Sequence, residues 1–198
     1  SNGCWGVEDN EVLVISSLPV VEAGNNVAYI PGGTIAFDAT VTGNLTNPGV
    51  TIYSENFTGD NGKGWSSGSY TAPTDGNWSL TKVGTPDVSG SGDYCKVTSG
   101  YLEWKDIAGS STNRVDWYSD TKSGSASNVS ISIAYDINSG TTLTAYYKLD
   151  GGSWTSMGSA SSGSDTFTAS NLSYSSSIRL KVEGYTGDYS GYYGHIDD

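Results

Sequence analysis

The chain has 198 residues, with 21 acidic against 9 basic side chains and a formal net charge of −12. So few and scattered cations argue against nucleic acid as the main partner, because phosphate recognition runs on Lys and Arg. Charged residues are only 15% of the chain, their place being taken by Gly, Ser, Thr and Asn, which is the composition of a secreted, uncharged-polar surface, and the length suits one all-β domain with an N-terminal extension.

Taken in chain order, the segments show two-residue periodicity. Short strands are expected at 11–16 and 50–53, and at 34–41, where Ile35, Phe37, Ala39 and Val41 alternate with polar or small residues. Further short strands are expected at 78–82, 94–97, 101–104 and 115–118. Val129, Ile131, Ile133, Tyr135 and Ile137 then alternate with Ser130, Ser132, Ala134 and Asp136, as in a strand with one buried face. Leu143, Ala145, Tyr147 and Leu149 repeat the pattern and run into Asp150-Gly151-Gly152, a hairpin signal. Trp154 opens the return strand, 167–169 is another short candidate, and Ile178, Leu180 and Val182 alternate with Arg179, Lys181 and Glu183. A last strand is expected at 192–196. No apolar stripe of helical spacing exceeds two turns. The sum is an all-β fold, an antiparallel two-sheet β-sandwich of the jelly-roll kind. A soft boundary at Asn47-Pro48-Gly49 divides an N-terminal β extension, residues 1–50, from the sandwich body, residues 51–198. The five tryptophans from Trp65 to Trp154 read as core, each beside apolar neighbours of strand period.

The longest apolar run is Val12-Leu13-Val14-Ile15, far short of the roughly 20 residues that a membrane-spanning helix needs. Cys4 and Cys95 are the only thiols. They can form one disulfide in an oxidising compartment or remain two buried thiols.

Catalysis has little to work with. His195 is the single histidine, too few for a metallohydrolase centre. Glu103 and Asp106 are the best-placed acid pair, but their spacing puts them on opposite faces of a strand. Metal binding through oxygen is better supplied. The loop 54–65 offers Glu55, Asp60, Asn61 and several Gly carbonyls, and Asp198 could complete a shell for Ca²⁺; an ordinary Asx- and Gly-rich turn is the alternative. The stretch Tyr185-Thr186-Gly187-Asp188-Tyr189-Ser190-Gly191-Tyr192-Tyr193 is the candidate ligand surface, with Tyr185, Asp188, Tyr189, Tyr192 and Tyr193 as its binding residues. Flat rings with polar edges suit sugar faces. The same composition serves protein contacts or plain packing.

Five motifs follow one another along the chain: Ser54-Glu55-Asn56-Phe57, the loop from Gly59 to Trp65, Trp117-Tyr118-Ser119 before a long strand, Tyr146-Tyr147-Lys148-Leu149-Asp150-Gly151-Gly152, and Tyr193-Gly194-His195-Ile196-Asp197-Asp198. From about residue 51 this order resembles the secreted bacterial jelly-roll domains akin to MAM-like and cleaved-adhesin domains. The resemblance implies a non-catalytic extracellular or cell-surface module for adhesion or carbohydrate binding, with a glycan or cell-surface partner. It also implies a structural calcium between the opening loop and the final Asp pair, here Glu55, Asp60, Asn61 and Asp198. Members of that family continue past the Ile-Asp-Asp motif. An incomplete edge strand is therefore expected here, which a donated strand could complete, with residues 11–21 as the donor in their own domain or in a neighbour; a fragment cut from a longer protein is the alternative. The alternative function is accordingly a self-assembling subunit of a surface filament or sheath.

Overall fold

The computed structural model describes residues 51–197, together with two short strands earlier in the chain, β1 (Val20–Ala23) and β2 (Ala39–Thr42). The chain divides into two units, Ser1–Thr51 and Ile52–Asp198. In the first, β1 and β2 pair antiparallel, with Val21 opposite Val41. The strand expected at 11–16, Cys4 and Asp198 lie outside the described residues.

The second unit contains thirteen described strands and, among the described residues, no helix. They are β3 (Gly64–Ser66), β4 (Ser69–Thr71), β5 (Trp78–Val83), β6 (Tyr94–Thr98), β7 (Tyr101–Lys105), β8 (Arg114–Ser119), β9 (Lys122–Ser123), β10 (Ala126–Ile137), β11 (Thr141–Leu149), β12 (Thr155–Ala160), β13 (Gly163–Tyr174), β14 (Ser177–Thr186) and β15 (Tyr193–Asp197). Two antiparallel sheets result. One has seven strands in the order β13-β10-β15-β7-β6-β3-β4, and the other six strands take the order β12-β11-β14-β8-β5 with β9 pairing β14. The fold is an all-β two-sheet sandwich, as the periodicity predicts.

The alternation explains the core. Ile131, Ile133 and Ile137 of β10, Leu102 and Trp104 of β7, Leu143 and Ala145 of β11, and Ile178 and Val182 of β14 all turn inward and are buried. Removing one such aliphatic side chain from water contributes about 1.5–3 kcal/mol. Trp104 sits at the centre with 0% exposure. Its indole N–H donates to the Val115 carbonyl at 2.8 Å, so the ring stitches β7 to β8 across the sandwich and leaves no buried donor unpaired. Gly184 makes room for it, since a Cβ there would stand 2.5 Å from the indole.

Several expectations shift. Residues 50–53 form no strand in the described part. Phe57 adopts a left-handed φ of 53°, the Glu55 carboxylate accepts its amide at 2.8 Å, and the ring is driven into the core beside Trp78 and Trp117. The β3–β4 hairpin and β9 were not expected. β13 is far longer than the segment 167–169, because its Ser- and Thr-rich outer face hides the period. β15 is no edge strand: Ile196 pairs with Leu102 on one side and with Tyr135 on the other.

Candidate functional site

Parity decides which side chains leave the core on the six-stranded sheet. Val182, Trp117 and Ala145 stand in one cross-strand row and point inward. Their neighbours must therefore point out. Those neighbours form two adjacent rows across β11, β14 and β8: Tyr146, Lys181 and Tyr118, then Thr144, Glu183 and Asp116.

On this outer face lies a network of charges. The Arg114 guanidinium donates from Nε to Asp116 Oδ1 at 2.7 Å and from Nη2 to Glu183 Oε1 at 3.0 Å. Lys181 Nζ meets the same Glu183 oxygen at 2.7 Å. The hydroxyls of Tyr118 and Tyr146 donate to Asp116 and Glu183, each at 3.3 Å. Although the face is external, Asp116 is only 1% exposed and Lys181 only 7%. Burial pushes the Asp116 carboxyl up, against the pull of Arg114. Burial and the adjacent carboxylates likewise raise the Tyr118 and Tyr146 hydroxyls, which stay protonated as donors. Arg114 is held above its ordinary value because Asp116 and Glu183 outweigh its burial. Charges that leave water cost free energy unless their geometry recovers it, and both functional sites and structural ion-pair networks gather shifted groups in this way.

Three rings stand over this floor. Trp154, in the segment between β11 and β12, lies 5.9 Å from Tyr118. Lys181 Nζ is 4.2 Å from the Tyr146 centroid and 5.0 Å from that of Trp154. Lys148 lies 4.9 Å from Trp154, and Arg179 4.8 Å from Tyr118. Trp154 is absent from the core cluster, which corrects its expected role: it follows the Asp150-Gly151-Gly152 turn on the outer side. Trp78, Trp104 and Trp117 are buried as expected, and Trp65 packs at the core margin. Oriented donors, acceptors and half-buried rings equip this surface to hold a polar ligand with one flat apolar face.

The tyrosines expected as ligand residues do not form one surface. Tyr185 packs against the core. Tyr192 lies over Gly140 and Gly187, where a Cβ would collide with its ring. Tyr189 is 61% exposed and meets Tyr192 edge-on at 5.1 Å. Asp188 is exposed and raises the carboxyl of Asp106. Tyr193 belongs to a separate stack on the outer face of the seven-stranded sheet, where His195 lies between it and Tyr101 at 4.7 and 4.1 Å. Tyr118, Tyr146, Trp154, Asp116 and Glu183 were missed. Their signal was the polar half of each alternating strand.

The calcium donors are placed for other work. Asp60 is buried, and its two oxygens accept the Thr74 amide at 2.8 Å and the Trp78 indole N–H at 3.0 Å. Asn61 Oδ1 accepts the Ser99 amide at 3.3 Å and Glu55 the Phe57 amide. Among the described residues no three His, Cys, Asp or Glu side chains gather to hold a metal. The fourth expected donor, Asp198, lies outside the described residues. Cys95 is a buried free thiol in β6, its thiol pushed up by burial. Gly64-Trp65-Ser66-Ser67-Gly68 has the G-x-S-x-G spacing of a nucleophile elbow, yet it forms the β3–β4 hairpin, without the helix that motif requires. His195 is on β15, separated from β3 by β7 and β6.

No family model matches the chain, and no curated protein matches it. Solved structures do. The β-1,4-galactotriose complex of TmCBM61 is 14% identical, covering 61% of this chain and 84% of its own at a TM-score of 0.41. A mutant of CBM29-2, a family 29 carbohydrate-binding module, is 11% identical over 61% of this chain and 89% of its own, at 0.36. The enzymatically active domain of tailspike protein 4 from bacteriophage CBA120 is 10% identical over 75% of this chain but 21% of its own, at 0.39. These likenesses are partial and assign no function.

Proposed function

We propose that this chain is a non-catalytic carbohydrate-binding sandwich of an extracellular or cell-surface protein, and that its ligand lies on the outer face of the six-stranded sheet. One observation carries the reading. Tyr118, Tyr146 and Trp154 stand together over an ion-paired floor of Arg114, Asp116, Lys181 and Glu183 that is largely withdrawn from water. A pyranose offers apolar C–H groups to a ring and hydroxyls to oriented carboxylates and cations, which is the chemistry this face presents. Both carboxylates are engaged by Arg114, which suits recognition better than proton transfer.

The experiment is a glycan array followed by calorimetry with the wild type and the Trp154→Ala and Tyr118→Ala variants. Binding that falls at least tenfold in both variants supports the reading, and silence of the wild type across the array overturns it. Tyr189→Ala and Tyr192→Ala, run beside them, test the C-terminal loop as the alternative surface. Adhesion, as in MAM-like and cleaved-adhesin domains, is the finer form of this proposal and is supported by the order of the sequence motifs alone.

Self-assembly has one structural support. β13 is a twelve-residue strand at the edge of its sheet, and an edge strand can accept a donated one. Sedimentation at rising concentration tests it, and a monomer throughout would remove it.

A further inference from the structure

Lys148 and Arg179 stand directly opposite each other across the β11–β14 ladder, both on the outer face of the six-stranded sheet. Like charges in that position destabilise a sheet. Every other cation of this face is neutralised: Arg114 by Asp116 and Glu183, Lys181 by Glu183. Among the described residues neither Lys148 nor Arg179 has a carboxylate within ion-pair distance. Four of the chain's nine basic residues (Arg114, Lys148, Arg179 and Lys181) thus gather on one sheet face of a protein whose net charge is −12. Composition does not account for that concentration.

The pair is also held in place. The Arg179 Nε donates to the Ser119 carbonyl at 2.9 Å, which fixes the guanidinium plane over Tyr118; among the described residues its terminal nitrogens have no acceptor. Lys148 is held over Trp154, whose ring lies 5.9 Å from Tyr118. Two uncompensated cations therefore flank the ring pair that the proposed carbohydrate reading uses.

We infer that the ligand is an acidic saccharide, whose carboxylate or sulfate group is seated between Lys148 and Arg179 while its ring lies against Trp154. This rests on the carbohydrate reading above. A planar guanidinium and an ammonium together offer several charge-assisted donors to such a group. The anion would remove the like-charge repulsion that the free protein carries, so part of the affinity is relief of a cost already present in the fold.

The test is affinity electrophoresis and calorimetry with four probes: polygalacturonate, its methyl-esterified form, dextran sulfate and plain dextran. Polyglutamate is the control. Wild type is expected to bind polygalacturonate or dextran sulfate at least tenfold more tightly than the uncharged counterpart, and which of the two it prefers distinguishes carboxylate from sulfate. The K148Q/R179Q double variant is expected to lose that preference while its melting temperature stays level or rises. W154A is expected to lose binding altogether. Equal binding of charged and uncharged chains overturns the inference and leaves the carbohydrate reading standing. No binding to any polysaccharide, here and on the glycan array, overturns both. Equal binding to polyglutamate, or acidic binding untouched in W154A, reduces the face to a polyanion patch and overturns the inference.

Discussion

The Trp78 indole N–H donates to Asp60 Oδ2 at 3.0 Å, so a buried carboxylate of the opening loop anchors a core tryptophan of β5. The other oxygen takes the Thr74 amide. Asp60→Ala leaves two donors unpaired and is expected to cost about 2–4 kcal/mol, since hydrogen bonds to charged groups contribute about 1.5–3 kcal/mol each. A urea titration reads this as a lower midpoint at constant slope. The same titration with calcium and with EDTA examines the ion expected from the loop. Coincident midpoints would remove that ion. A fall with EDTA would assign the ion, as native-state binding stabilises by mass action.

Acid should weaken the β11–β12 turn through Asp150. Its carboxylate accepts the consecutive amides of Ser175, Ser176 and Ser177, and these donors, that of Ser176 foremost, depress it from 3.8 to about 2. A depressed carboxylate stabilises the fold above its unfolded value and loses that contribution as pH falls through the folded one. Asp150→Asn tolerates the left-handed φ of 52° but carries no charge. The stability difference between wild type and variant should therefore hold at pH 5–7 and shrink as pH falls from about 4 to about 2, measured as urea midpoints.

Asp106 offers the opposite sign. Burial, Asp93 and Asp188 raise its carboxyl above the ordinary value. Ionised Asp106 therefore costs stability at neutral pH, a cost that disappears on protonation. Asp106→Asn keeps a residue type suited to φ 48° and should raise stability at pH 7 slightly, by less than about 1 kcal/mol for a surface charge term, read as a small rise in melting temperature. The gain should vanish near pH 3. A loss at neutral pH would show that the hydrogen bond from the Tyr189 amide to the carboxylate outweighs the burial and the repulsion.

Cys95 has 0% exposure. Its thiol should resist alkylation in the native protein and react within the time of unfolding in denaturant, since a raised thiol is a poor nucleophile. Mass spectrometry of a non-reduced digest completes the test. A Cys4–Cys95 cross-linked peptide would assign the disulfide that the sequence allows.

The sandwich was legible because its strands write their inward half in a plain alphabet. Ile131, Ile133 and Ile137, or Ile178 and Val182, alternate with small or charged residues, and a period of two admits one reading. The proposed binding face was less legible for the same reason. Tyr146, Tyr118 and Lys181 occupy the outward half, where any polar residue satisfies the pattern, and only the register of β11, β14 and β8 brings them into one row. Trp154 misled because a large ring counts as apolar in any pattern, whereas its position just after a turn put it outside. The tyrosines from Tyr185 to Tyr193 are neighbours in sequence but are distributed among the core, a glycine-lined rest and two different surfaces, a separation that proximity along the chain does not reveal.

β15 is the keystone of the larger sheet, clasped by β7 and β10. Until it has been synthesised, β13 and β10 have no backbone link to β7, β6, β3 and β4. Half-made chains must wait with two open ladders exposed, and pairing across such separations is slow. Deleting only 193–197 should thus split the larger sheet in two, a far greater loss than trimming five residues from a peripheral strand.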